Sequence, residues 1–207
     1  MTNKNRISEL AAGARVFHGD ALDTAAELLR EIELVVAVSP LRSVVTPGGK
    51  SMSVEMTNCG TRGWVSDRRG YRYEEIDPIT GKRWPVMPPG FEAIAKQSAA
   101  RAGFANYAPN VCLINRYAPG ASMGLHQDKD ERDFLQPIVS VSLGLSIGFK
   151  IGGPTRGGPT TRVDLVHGDV LVFGGPARLA FHGVNKLREG EHPLTGKFRF
   201  NLTFRVS

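Results

Sequence analysis

Two segments of the chain repeat their apolar residues at the spacing of a helix, while most of the remainder alternates or clusters in short runs. From Asp20 onward, Leu22, Leu28, Leu29, Ile32, Val35 and Val36 follow a 3.6-residue period, with Asp20 or Asp23 as caps and Pro40 beyond the end. A second helix is predicted to start at Pro89, whose ring pre-sets a first helical turn, to run through Ile94 and Ala99, and to stop at Gly103. Between them, Thr46 to Pro89 is Gly-rich, polar and aromatic, a pattern of hairpins and loops.

After Pro109 the pattern changes to short runs of Val, Ile, Phe and Leu punctuated at Gly120, Pro137, Gly144, Gly152, Gly168 and Gly174, which predicts an antiparallel sandwich or closed barrel. The last strand is the clearest. Phe198, Phe200, Leu202, Phe204 and Val206 alternate with Arg199, Asn201, Thr203 and Arg205, so a two-residue period puts all four polar groups on one face. No tandem repeat, heptad or low-complexity tract interrupts the chain, and no linker cuts it.

A length of 207 residues fits one domain with a substantial core, and 41% hydrophobic with 22% charged residues is ordinary globular usage. The formal charge of +6 favours a polyanionic partner, although solubility alone also explains it. Cys59 and Cys112 are too few for a disulfide framework and point to a reducing cytoplasm. The polar N-terminus, Met1 to Gly13, lacks the apolar core of a signal peptide, and the longest apolar run, Leu34 to Val38, is too short to span a bilayer. Secretion and membrane insertion are therefore not expected.

Candidate chemistry lies in LHQDKD, where extended geometry sets His126, Asp128 and Asp130 on one side. One imidazole and one carboxylate two residues apart can reach one metal, and His182 in FHGV is the best-placed third ligand. Two imidazoles and one carboxylate on a face of Fe(II) leave positions open for a cosubstrate and dioxygen. The tripeptide alone is weak, since five His and nine Asp in this length produce about 0.2 such pairs by chance. A second one, His167-Gly168-Asp169, reads as a polar turn feeding the apolar run Val170 to Phe173. Arg199, Asn201, Thr203 and Arg205 are either a solvent face or a cationic fork for a dicarboxylate such as 2-oxoglutarate. Leu113, Asn115 and Tyr117 in LINRY share a strand face that could orient the same ligand, or simply satisfy backbone groups.

From Thr46 to Tyr73, Lys50, Arg62, Arg68, Arg69 and Arg72 outweigh Glu55 and Asp67 and interleave with Trp64, Tyr71 and Tyr73. Cations for phosphates and π-faces for an unstacked base suit a single-strand or flipped-base binder, whereas a half-buried aromatic cluster with solvated arginines is the plainer alternative.

Taken in order, NRYAPG at Asn115 to Gly120, LHQDKD, IVSVSLG at Ile138 to Gly144, FHGV around His182 and RFNLTFR at Arg199 to Arg205 resemble the AlkB family of dealkylases. The resemblance runs from about Ser39 to the C-terminus. It implies a mainly β fold with flanking helices, a double-stranded β-helix (jelly roll) with an N-terminal nucleotide-recognition lid. Within a single domain of residues 1–207, residues 1–108 would carry the helices and lid, and 109–207 the Fe(II)/2-oxoglutarate dioxygenase core. His126, Asp128 and His182 would be the metal ligands and catalytic centre. Asn115, Arg116, Tyr117, Arg199, Asn201, Thr203 and Arg205 would hold 2-oxoglutarate, with O2 as the other cosubstrate. Trp64, Tyr71, Arg72, Tyr73, Asp130 and Arg156 would meet the substrate.

The implied activity is direct-reversal repair: oxidative demethylation of 1-methyladenine and 3-methylcytosine in single- or double-stranded DNA, with RNA as a further substrate, releasing formaldehyde, succinate and CO2. The protein is expected to act as a monomer. The alternatives are a 2-oxoglutarate-dependent hydroxylase of an amino-acid or protein side chain, which would not need the basic aromatic lid, and a non-catalytic nucleic-acid-binding barrel. Three features depart from the pattern of the family: the glycine-rich GGPTRGG around Arg156, Phe173 in place of a Trp, and Lys150 in an otherwise apolar run.

Overall fold

A computed structural model of the chain describes residues 6–207; Met1 to Asn5, part of the polar N-terminus considered above, lie outside the described residues. In chain order the elements are β1 (Ile7–Ala11), β2 (Ala14–Phe17), α1 (Ala25–Val38), β3 (Arg42–Val45), β4 (Ser51–Gly60), β5 (Gly63–Asp67), β6 (Gly70–Glu74), α2 (Pro89–Arg101), β7 (Val111–Tyr117), β8 (Met123–His126), β9 (Ile138–Gly144), β10 (Ile147–Ile151), β11 (Thr161–Leu165), β12 (Val170–Phe173), β13 (His182–Val184) and β14 (Arg199–Arg205). The large sheet has the order β1-β2-β12-β9-β14-β7-β4-β3 and the small one β11-β10-β13-β8, with β5-β6 as a separate hairpin. The named strand pairs are antiparallel, and the two sheets face each other as a jelly roll.

Both helices cover the outer face of the large sheet. Leu28, Ile32 and Val35 of α1 and Phe91, Ile94 and Ala95 of α2 pack on Cys112, Ile114, Val139, Val141, Leu202 and Phe204. Burying each large side chain contributes roughly 1.5–3 kcal/mol, so this layer clamps the strands that carry the inner face. The cap position of α1 falls on Thr24, one residue past the expected Asp23. Asp20 instead accepts hydrogen bonds from Ser98 and Arg101, tying the start of α1 to α2. Helix α2 begins at Pro89 as predicted, and Gly103, with φ +100°, stops it in a conformation that only glycine adopts without strain.

Between the sheets, Val16, Ile138, Phe149, Ile151, Leu165, Leu171 and Phe173 form a second apolar layer. A third cluster of Val54, Met56, Leu113, Tyr117, Ile147 and Leu187 packs separately, and the polar pocket takes lining residues from both. Strand β14, flanked by β9 and β7, alternates as the sequence predicts. Leu202 and Phe204 face the helices, so Arg199, Asn201, Thr203 and Arg205 point into the sandwich and not into solvent. The Thr46–Pro89 region holds more regular structure than its composition suggests: β4 is the longest strand and pairs residue by residue with β7.

Candidate active site

Strands β8 and β13 pair so that His126 stands directly opposite His182, with ring centroids 4.4 Å apart. Asp128, two residues past β8, brings its carboxylate within 3.8 Å of His126 Nε2 and 3.9 Å of His182 Nε2. One ligand atom from each of the three lies within 4.8 Å of the others. Backbone carbonyls set the tautomers. His126 Nδ1 donates to Gly124 O at 2.9 Å and His182 Nδ1 to Ala180 O at 3.0 Å, leaving both Nε2 lone pairs aimed at Asp128.

The ionisation states suit a cation. Burial pushes His182 down to about 4, so its imidazole is neutral at physiological pH. Burial also opposes ionisation of Asp128, but the Arg205 guanidinium and the two imidazoles override it and hold the carboxyl well below its usual range. Arg205 Nη2 lies 2.8 Å from Asp128 Oδ2, yet that oxygen accepts no aligned hydrogen bond. Two free imidazole lone pairs and a buried carboxylate oxygen without an aligned donor fit a divalent metal of the Fe(II) kind.

The inner cavity of about 60 Å³ continues from these ligands along β7 and β14, lined by Asn115, Tyr117, Arg199, Asn201, Thr203 and Arg205. Arg199 is fully buried at its far end and donates to Leu145 O (3.1 Å) and Ser142 Oγ (2.7 Å), while its Nε has no partner. Among the described residues it has no carboxylate partner, and burial pulls its pKa down to about 10. An uncompensated buried guanidinium is costly, and the carboxylate of a dicarboxylic cosubstrate would neutralise it. Asn115 Oδ1 is also unpartnered, and burial raises the Tyr117 phenol to about 12, keeping it a neutral donor. Asn201 is braced by Ser140 Oγ (2.8 Å) and Val141 O (3.0 Å), and Thr203 donates to Asn201 Oδ1 at 2.8 Å.

Arg116 corrects the expectation. It sits on the opposite face of β7, where its guanidinium pairs with Glu55 at 2.7 Å and stacks on Phe198 at 4.8 Å, because alternation turns it away from Asn115 and Tyr117.

A larger outer groove of about 510 Å³ opens over His126, lined by Thr46, Trp64, Tyr71, Asp130, Arg156 and Phe181. Trp64 stacks on Tyr71 with centroids 5.3 Å apart, and its Nε1 donates to Asp130 Oδ2 at 2.8 Å. Arg156 lies over the Phe181 ring at 5.1 Å. Arg72 is a second correction. The β6 alternation turns it from the groove, and Asp67 (2.9 Å) and Glu74 (2.6 Å) clamp it. Tyr73 bridges to the inner site: its hydroxyl bonds Glu131 and accepts from Arg205 Nη1 at 3.2 Å.

Two residues not anticipated from sequence complete this core. Glu131 is wholly buried, and Arg178 donates to it at 3.0 Å, to Asp128 O at 2.7 Å and to Gln136 O at 2.8 Å. A lone Arg in the apolar stretch from Val170 to Phe181 was the available signal.

Residues 13–205 match the family described as the 2OG-Fe(II) oxygenase superfamily. The chain is 53% identical over 196 residues, 95% of its length and 91% of the relative's, to the alpha-ketoglutarate-dependent dioxygenase AlkB of Salmonella typhimurium. It is 32% identical over 173 residues, 71% of its length and 38% of the relative's, to the DNA N(6)-methyladenine demethylase ALKBH1C of Arabidopsis thaliana. The solved structure of OsALKBH1 superposes with a TM-score of 0.85 at 29% identity, covering 98% of this chain and all of the other. With its jelly roll and its His-Asp-His cluster, this chain belongs to the 2OG-Fe(II) oxygenase superfamily as a dioxygenase of the AlkB type, dependent on Fe(II), 2-oxoglutarate and O2.

Proposed function

We propose that the chain removes alkyl groups oxidatively from 1-methyladenine and 3-methylcytosine in DNA or RNA. The observation that carries this reading is the outer groove, where a stacked indole and a carboxylate face each other directly above His126. Methylation at those ring nitrogens makes the base cationic and blocks its pairing, so extrusion costs less, and Asp130 favours a cation that carries an exocyclic amino donor. Trp64 supplies the stacking face once its bond to Asp130 is exchanged for the base. The relative named as a DNA N(6)-methyladenine demethylase supports a methylated nucleic-acid base as the substrate class.

In this reading His126, Asp128 and His182 hold Fe(II). When bound, the metal couples reduction of O2 to decarboxylation of 2-oxoglutarate and to hydroxylation of the N-alkyl carbon, whose hydroxymethyl product breaks down to formaldehyde and the plain base. Arg199 receives the distal carboxylate of 2-oxoglutarate, with Asn115, Tyr117, Asn201, Thr203 and Arg205 around the rest. Glu131 and Arg178 keep Asp128 and Arg205 in place, and the apolar layer around Phe149 and Phe173 excludes water. We take the chain to act as one domain, in which the segment before residue 109 supplies β4 to the large sheet and the β5-β6 lid, and residues 109–207 the dioxygenase core. Its setting is a monomer in the cytoplasm, consistent with two buried free cysteines.

The test is aerobic incubation with Fe(II), 2-oxoglutarate, ascorbate and a 1-methyladenine oligonucleotide. Formaldehyde and adenine are expected together; iron-loaded protein that forms neither overturns the reading. Trp64→Ala should weaken oligonucleotide binding by about 1–3 kcal/mol, measured by fluorescence anisotropy.

A further inference from the structure

The hairpin formed by β10 and β11 carries an oddity on the face turned away from the metal and base pockets. In its register Lys150 stands directly opposite Arg162. Like charges facing each other across antiparallel strands repel, and neither has an acidic partner among the described residues. The one carboxylate of the hairpin, Asp164, stands opposite Gly148 instead. Phe149 and Ile151 point into the core, so alternation directs Lys150 to the outer face of the small sheet.

This pair is coupled to the substrate groove through the backbone. Ile151 pairs with His182 and Lys150 with Gly183, one position further along. Gly152 N donates to Phe181 O at 2.8 Å and Phe181 N to Gly153 O at 2.9 Å, so the hairpin is stitched to the segment entering β13. Its tip places Arg156 over Phe181 in the groove wall. Around that tip, Gly153 and Gly157 have open space where a side chain would stand, and a polymer backbone can lie close against them. Three cations thus run along one hairpin, from the groove to the edge of the small sheet.

We infer that the outer face of β10-β11 is a track for the phosphodiester backbone of the nucleic acid, with Lys150 and Arg162 taking phosphates beyond the base pocket and so neutralising an otherwise repulsive pair. The proposal deepens the reading above, on which it rests, by assigning where the rest of the strand lies. Neighbouring strands are about 4.8 Å apart, which puts Lys150 about 10 Å and Arg162 about 15 Å from β8. At about 3.4 Å per nucleotide of a stacked strand, these are phosphates three to four nucleotides from the extruded base.

The experiment compares the full chain with Lys150→Gln/Arg162→Gln on two probes, a trinucleotide with a central 1-methyladenine and a 21-residue single strand. The double variant should bind the 21-mer about 10-fold more weakly at low salt. The slope of log K against log salt should fall by about 1.4, from two lost phosphate contacts at about 0.7 each. Trinucleotide turnover should be unchanged, and the thermal midpoint equal or raised because the repulsion is gone. The charge-keeping Lys150→Arg/Arg162→Lys variant should behave as the parent. Unchanged 21-mer affinity and slope would overturn the track, as would an equal loss on both probes. A loss of binding to phosphatidylglycerol vesicles with nucleic-acid binding intact would assign the face to a membrane and also overturn it. Should the parent not turn over the trinucleotide, the dealkylation reading fails by itself, while the salt slope of 21-mer binding still decides the track.

Discussion

The chain contains the His-x-Asp pattern three times, at His18, His126 and His167, and the last two copies differ in what the fold leaves unsatisfied. At His126-Gln127-Asp128, backbone carbonyls accept the Nδ1 protons of His126 and His182, so the Nε2 lone pairs face the two oxygens of one carboxylate, Oδ1 and Oδ2, of which Oδ2 lacks an aligned donor. At His167-Gly168-Asp169, the ring nitrogen itself is consumed: His167 Nδ1 accepts from Gly144 N at 3.0 Å. Asp169 accepts from Gly19 N and Val166 N, both at 3.0 Å, and faces His18 Nδ1 at 3.4 Å. Gly168, with φ +84° and Leu22 carbons 2.6 Å from where a Cβ would stand, closes the turn. Identical residue types therefore form a ligand set where their lone pairs remain free, and a structural clasp where backbone donors saturate them.

The contrast can be broken most forcefully at the His126 copy. Asp128→Ala should lower metal affinity more than about 100-fold, beyond what loss of an outer hydrogen bond costs, and stop turnover; Co(II) titration and 2-oxoglutarate decarboxylation read it. Next in size, Arg199→Ala should raise the KM for 2-oxoglutarate about 10- to 100-fold, since a charged hydrogen bond is worth about 1.5–3 kcal/mol, with kcat less affected. At the His167 copy the effect changes kind. Asp169→Ala should leave metal affinity intact and cost about 3 kcal/mol of stability by orphaning buried backbone donors, measured by urea denaturation.

Acid sharpens the comparison with the smallest effect. His182 titrates at about 4 in the fold and near 6.5 when unfolded. Between those values the unfolded chain binds more protons, so the metal-free protein keeps its full stability above about pH 6.5 and loses it as pH falls toward 4. At pH 5 this residue alone should cost about 2 kcal/mol relative to pH 7. Burial also lowers the His167 pKa, and the loss from it has the same sign. A denaturation midpoint independent of pH over this range would refute the burial of both rings.

Much of this was legible in the chain, for identifiable reasons. The alternation of β14 exposed four polar groups to one side because strand periodicity is local, and the spacing of His126 and Asp128 was visible for the same reason. Periodicity could not say which side was solvent. Arg199 and Arg205 became pocket residues only when the helices took the other face. The resemblance places Arg116 and Arg72 at the site, but each lies next in sequence to residues that line it, and the two-residue period of a strand sends such neighbours to opposite faces. Glu131 and Arg178 escaped notice because their partnership spans 47 residues and has no local signature.

From the order of residues alone came the helices, the sandwich, the candidate ligands and the basic aromatic segment, since each rests on spacing within a few residues. Tertiary structure decided which histidine joins the first pair, which His-x-Asp is merely a turn, and that Lys150 confronts Arg162. Those outcomes depend on strand register and on which lone pairs the folded backbone satisfies, quantities that exist only once distant segments are paired.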